Sequence, residues 1–220
     1  MGEILANYDV LGAVWMTIKL ALLSAIGCTI VGTFVAILRV SPVPMLRGLG
    51  TSYVNLLRNT PLTVLMVMST LGLSIILGLR FTTDFAMNAF WWAVVMLTLY
   101  HAAFICEALR SGVNTVPVGQ AEAARAIGLT FSQSLKEVIL PQAFRGAVAP
   151  LASTYIALIK NTTVAAVIGV TDLAGLLAEI TENEGSQLPI FFLFALIFVI
   201  LTLPVGMWGT SLSRKLAVKR

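Results

Sequence analysis

The sequence predicts an all-α integral membrane protein with five transmembrane helices, its N-terminus outside and its C-terminus in the cytoplasm. Three observations predict it. Apolar residues make up 58% of the 220 and charged residues only 11%, a balance foreign to soluble domains. Five apolar stretches reach the roughly 20 residues that cross about 30 Å of hydrocarbon. Lysine and arginine gather on one set of connections, which sets the orientation.

The first span runs from about Val10 to Leu38. No Lys or Arg precedes it and its apolar run is too long for a secretory signal, so it is expected to remain as a membrane helix. Ser24, Gly27, Gly32 and Ala36 give it small positions for close helix packing. Lys19 is expected to snorkel to the outer surface. The second span, about Ser52 to Gly78, holds Arg58-Asn59-Thr60-Pro61 near its cytoplasmic end. Pro61 removes a backbone donor and bends the helix there, which suits a gate or a cytoplasmic contact.

The third span, about Ala86 to Leu109, ends on Glu107 and Arg110, spaced i, i+3 for a structural ion pair. The fourth, about Val148 to Val170, carries Lys160, whose ammonium needs a partner or water inside a membrane. Ala165, Ala166 and Gly169 supply further small positions. The fifth runs from about Leu188 to Leu212. Trp91, Trp92 and Trp208 lie near span ends and suit the interfacial belts.

Arg39, Arg47, Arg58, Arg110, Arg125, Lys136, Arg145, Arg214, Lys215, Lys219 and Arg220 all fall on one side, against Arg80 on the other. Glu3, Asp9, Asp84, Asp172, Glu179, Glu182 and Glu184 fall outside. The net charge of +4 therefore reflects membrane topology, and no nucleic-acid partner is expected. Cys28 and Cys106 lie within apolar spans and read as packing residues, without metal-ligand spacing. His101 is the only histidine; it reads as an interhelical hydrogen-bond donor, with no metal site and no catalytic residue. No G-x-x-x-x-G-K-[ST] run exists, so the chain holds no Walker-type nucleotide site of its own. Residues 1–220 read as a single domain without an internal repeat, which weighs against repeat-built secondary transporters.

Between the third and fourth spans lies a segment too polar for a bilayer, Glu122-Ala123-Ala124, three residues, Gly128, nine residues, then Val138-Ile139-Leu140-Pro141. Ala121, Ala123, Ala124 and Ala126 favour a short helix from Gln120 to Ile127, stopped by Gly128. Glu122 and Arg125 are spaced for an i, i+3 charge pair. Leu140-Pro141 is expected to break the chain before the fourth span.

This spacing resembles the E-A-A-x3-G-x9-I-x-L-P signature of ABC importer permeases, with Val138 where isoleucine is usual. The R-x-T-P of Arg58 to Pro61 resembles the polar amino acid branch of that family. Its E-x-x-R-x-G and V-P-x-G-Q-x-E-A-A patterns are matched from Glu107 to Ala124. The resemblance implies a MetI-like fold with a cytoplasmic coupling helix at about 117–130. There Gln120, Glu122, Ala123, Ala124, Arg125 and Gly128 would meet the ATPase. Pro61, Glu107, Arg110 and Pro141 would be gating or structural residues.

The same resemblance implies two ATPase subunits, a second permease copy or sister, and an extracytoplasmic solute-binding protein, in a prokaryotic plasma membrane. ATP and magnesium would sit in the ATPase; the chain itself would hold no cofactor and be no enzyme.

Over the fourth span the family usually shows N-E-x-I-x-L-x-K-D-T-S-L, where this chain reads Ser153 to Val164 with Thr154 and Asn161 in place of the two acids. Those positions are seven apart and share a helical face. Losing both acids while keeping Lys160 favours an anionic solute such as glutamate or aspartate. Thr154, Lys160, Asn161, Thr162, Arg58 and Thr60 are the candidate translocation residues. The alternatives are a neutral or basic amino acid, with choice made by the binding protein, or an ion-coupled secondary transporter. The latter expects acids at mid-span, and none sits there.

Overall fold

The computed structural model describes residues 6–185 and 188–216. Glu3, Lys219 and Arg220 of the charge count lie outside the described residues. Helix α1, Val10–Val40, starts where the Asp9 side chain accepts from the Gly12 N–H and forms the first span. A stripe of Ala13, Thr17, Leu20, Ser24, Cys28, Gly32 and Val35 is buried along it, the i, i+3, i+4 spacing of one helical face. Helix α4, Phe85–Asn114, receives that stripe. A Cβ on Gly27 would stand 2.6 Å from Thr98 Oγ1, and one on Gly32 would stand 2.6 Å from Ile105 Cβ. Only glycine permits this approach of two backbones.

The second crossing bends where Pro61 is expected to bend it, and does so sharply. Helix α2, Pro44–Asn59, and the run from Leu62 to Ile76 meet at an angle of 100°. The break falls on Thr60 and Pro61, with Thr60 extended at φ −100°, ψ 129°, because proline denies the preceding residue the helical region. Helix α3, Leu62–Val67, then widens into π-helical turns over Met68–Ile76. Asp84 caps α4, accepting from the Met87 N–H at 2.7 Å. Asn88 near its start ties it to the π segment, donating to Ser74 Oγ at 2.8 Å.

Helix α5, Val118–Ala126, occupies the polar connector. It ends at Gly128, whose φ of +86° is open to glycine and strained for other residues. The fourth crossing begins earlier than expected. A Thr130/Gln133 capping box opens α6, Phe131–Gln133. π-helical turns follow over Ser134–Ile139, then α7, Leu140–Asn161, and a 3₁₀ stretch over Thr162–Ile168. Pro141 therefore does not break the chain. It sits in the first turn of α7, and the π turns before it relieve the missing donor. Helix α8, Leu173–Glu184, is capped by Asp172, and α9, Leu188–Leu216, forms the last crossing.

Among the described residues four helical runs are long and apolar enough to span a membrane, and the bent pair gives a fifth when its two arms are taken as one span. Helix α4 is the hub: α1 and α7 pack on it, and α9 packs on α7. Gly112 of α4 approaches the Ala143 carbonyl of α7, and Gly209 of α9 approaches Ala152. Trp92 is a correction to the interfacial reading. It is buried in the core and meets Phe81 edge-on at 5.0 Å, whereas Trp91 and Trp208 are exposed. Lys19 lies half-buried with its ammonium 5.8 Å from the Phe90 ring, a cation–π contact within the bundle in place of a free snorkel.

Candidate functional site

Three features of the chain can do more than hold the fold. One is a cavity of about 330 Å³ between α4 and α7, lined by Tyr100, His101, Phe104, Ser153, Thr154, Ala157 and Asn161. On the α4 side the aromatic rings lie one turn apart and tilted, with Tyr100 and Phe104 centroids 5.1 Å apart at an interplanar angle of 50°. Across from them, Asn161 Nδ2 lies 3.2 Å from His101 Nε2, while His101 Nδ1 lies 3.0 Å from the Leu97 carbonyl. The carbonyl can only accept, so Nδ1 carries the proton and Nε2 accepts from Asn161. His101 does bridge helices, but as the acceptor, which corrects the donor role expected from sequence. Among the described residues, no carboxylate lines this cavity.

Of the residues singled out in the sequence, Thr154 and Asn161 meet in this cavity. Thr154 keeps its hydroxyl bonded to the Pro150 carbonyl. Lys160 is exposed on the adjoining face with Ser153 and Ala157, at the i, i+4, i+7 spacing of one stripe. Thr162 is fully buried and donates to the Ile159 carbonyl, away from the cavity. Thr60 donates to the Leu56 carbonyl at the helix break. Tyr100, Phe104, Ser153 and Ala157 escaped sequence reading, because a helix apolar nearly all round offers no periodicity to mark a lining face.

The second feature lies at the cytoplasmic end of α4. Three guanidinium groups converge on the Glu107 carboxylate. Arg110 gives Oε2 two hydrogen bonds, from Nε at 3.0 Å and from an Nη at 2.9 Å. Arg39 of α1 bonds Oε1, and Arg58 of α2 stands 3.7 Å from the same oxygen. The Glu107–Arg110 pair expected from spacing is therefore one arm of a four-residue node. Arg58 also lies 5.6 Å from the centroid of Phe104, so a cavity wall and the node share one ring.

The third feature is α5. Ala124 is buried and anchors the helix, while Glu122, Ala123, Arg125 and Gly128 are exposed. Val118, Ile127 and Phe131 add exposed apolar area around them. Gln120 lies on the exposed side as well. The i, i+3 pair expected between Glu122 and Arg125 is not closed: the ion pairs found at that end of the molecule gather on Glu107 instead. Both charges are left open on the surface, as two solvated side chains gain little from pairing.

Comparison with known proteins accounts for this arrangement. Residues 8–218 match the family described as binding-protein-dependent transport system inner membrane component. The chain is 48% identical over 218 residues to the glutamate transport system permease protein GluC of Corynebacterium efficiens, covering 96% of each. Among solved structures it resembles an amino acid ABC transporter crystallised with histidines. The TM-score is 0.85 and the identity 27%, over 94% of this chain and 93% of that one. The MetNI methionine ABC transporter shares the fold, with a TM-score of 0.76 at 23% identity over 95% and 96% of the two chains. With its four to five membrane-spanning helical runs and its cytoplasmic-type Glu-Ala-Ala helix after α4, this chain is a multi-pass inner membrane protein and belongs to the binding-protein-dependent transport system permeases.

Proposed function

We propose that the chain is the permease subunit of an ATP-driven importer of acidic amino acids. The carrying observation is the cavity between α4 and α7, which offers hydroxyl, amide, imidazole and aromatic groups and no carboxylate. A cavity without fixed negative charge does not repel an anionic solute, and acids at positions 154 and 161 would. The likeness to a glutamate permease over 96% of both chains supports the same class of solute.

In this reading a solute-binding protein delivers the amino acid to the outer face. Two ATPase subunits per complex, which hold the ATP and magnesium, dock on the α5 helices of the permease pair. The exposed small surface around Ala123 suits close approach, with Gln120, Glu122 and Arg125 as polar handles. A second permease, identical or a sister, faces the exposed stripe of α7 that carries Ser153, Ala157 and Lys160 across a water-filled path. Arg58 and Thr60 at the break, with Pro61, serve the cytoplasmic side of the path. Glu107 and Arg110 hold the end of α4 in place.

The test is uptake of labelled glutamate, glutamine and arginine into proteoliposomes carrying the permease, its ATPase and its binding protein. ATP-dependent uptake led by glutamate, and lost in Thr154→Glu/Asn161→Asp, is the expected result. Uptake indifferent to ATP overturns the coupling. Preference for glutamine or arginine overturns the acidic substrate and leaves the importer standing.

A further inference from the structure

We propose that Arg58 is a substrate carboxylate-binding residue at the cytoplasmic side of the cavity, held in waiting by Glu107 until a solute carboxylate replaces it. The assignment rests on the α4–α7 cavity being the solute path.

The node at Glu107 carries more positive charge than it can neutralise. Three guanidinium groups face one carboxylate, and a carboxylate has two oxygens to share among them. Arg110 occupies Oε2 through two donors and Arg39 occupies Oε1. Arg58 comes third, at 3.7 Å from Oε1, beyond hydrogen-bond distance. Its five N–H donors find no acceptor among the described residues. Arg39 is packed in, with 15% of its side chain exposed, whereas Arg58 keeps 46% exposed. Arg58 is thus the cation of the node with unspent charge and unspent donors.

Its position gives that charge a use. The Arg58 guanidinium lies against Phe104, 5.6 Å from the ring centroid, and Phe104 is part of the cavity wall. Among the described residues, no other cation stands over a ring of that wall. The cavity itself holds no formal charge among its lining residues, so Arg58 is the cation standing one ring away from a solute inside it. A planar guanidinium with free donors matches a carboxylate in two-pronged geometry. Its seat at the end of α2, beside the Thr60–Pro61 break, lets it turn at a point where the backbone ladder is already interrupted.

The experiment measures equilibrium binding of labelled glutamate to the purified permease–ATPase complex in detergent, without binding protein, for wild type, Arg58→Gln and Arg58→Lys. Loss of one charge-assisted contact is expected to raise Kd about tenfold or more in Arg58→Gln. Arg58→Lys, which keeps the charge but loses the fork, is expected to fall between the two. An unchanged Kd in Arg58→Gln overturns the proposal. So does equal weakening in both variants together with a fall in apparent Tm, the signature of a purely structural arginine. Added anionic phospholipid gives a separate arm: if Arg58→Gln abolishes a lipid dependence and leaves Kd alone, the residue holds headgroups and the proposal fails. If the wild type binds glutamine or arginine and no glutamate, the acidic reading fails by itself. The same three-way comparison on the bound amino acid then decides on Arg58.

Discussion

Asp172 is fully buried at the start of α8. Its Oδ1 accepts from the Gly175 N–H at 3.0 Å, and its Oδ2 meets no donor. Next to it, the Leu173 N–H donates to Thr17 of α1, so the turn is fixed to the bundle. Burial pushes the carboxyl up from an ordinary 3.8 to about 6, against the backbone donors that lower it. The folded protein therefore keeps this proton to higher pH than the unfolded chain does. Stability from this group is greatest below about pH 4, declines as pH rises toward about 6, and is level above that, over a range of about 1–3 kcal/mol. Asp172→Asn retains the capping oxygen and removes the charge. It is expected to raise the apparent Tm at pH 7.5 by a few degrees and to flatten the slope between pH 4 and 6. Thermal unfolding of the purified protein across pH checks it; a lower Tm at pH 7.5 would show that the carboxylate is stabilised by a partner.

Among the elements, α5 is built to present one side and anchor the other. Ala124 is the buried residue, and Ala123 beside it is exposed. A bulky side chain at position 123 leaves the internal packing alone but stands in the way of a docked partner. Ala123→Trp is expected to leave the apparent Tm of the isolated permease within about 2 °C, since exposed substitutions change stability little. It is also expected to abolish co-purification of the ATPase. A permease that still retains its ATPase would remove α5 from the coupling role. The limits of α5 were legible in the sequence, because alanines favour the helix and Gly128 ends it in a backbone region that glycine adopts freely. The position of the break at Pro61 was legible too. Its 100° size was not, since a missing donor marks where a helix yields and tertiary packing sets how far. The early start of the fourth crossing was hidden for another reason. Ser132, Gln133, Lys136, Glu137, Gln142 and Arg145 make that stretch too polar for a length-of-apolar-run criterion, and it is the Thr130/Gln133 cap that starts the helix. At the site, the seven-residue spacing of Thr154 and Asn161 marked one wall, but nothing in α4 distinguished Tyr100 and Phe104 from the apolar residues around them.

For the whole molecule, the outer surface divides into two kinds. Phe191, Phe192, Leu196, Val199, Ile200 and Leu203 of α9 are exposed and apolar, a surface that lipid tails satisfy. The α7 stripe of Ser153, Ala157 and Lys160 is exposed and carries an ammonium. Insertion of a lysine at the centre of a helix facing hydrocarbon costs about 2.5–3.5 kcal/mol, so this stripe belongs to water or to another subunit. The two surfaces are separable by thiol chemistry. Cys28 and Cys106 are the only cysteines in the sequence, and both are buried, so the background reactivity is low. Lys160→Cys is expected to react with a membrane-impermeant thiol reagent in the assembled transporter, at a rate that changes when ATP is added, because the path opens alternately to the two sides. Val199→Cys, on the apolar surface, is expected to stay unreactive. A Lys160→Cys as inert as Val199→Cys would place the α7 stripe against lipid or in a dry subunit contact, and the α4–α7 cavity would then lose its claim to be the solute path.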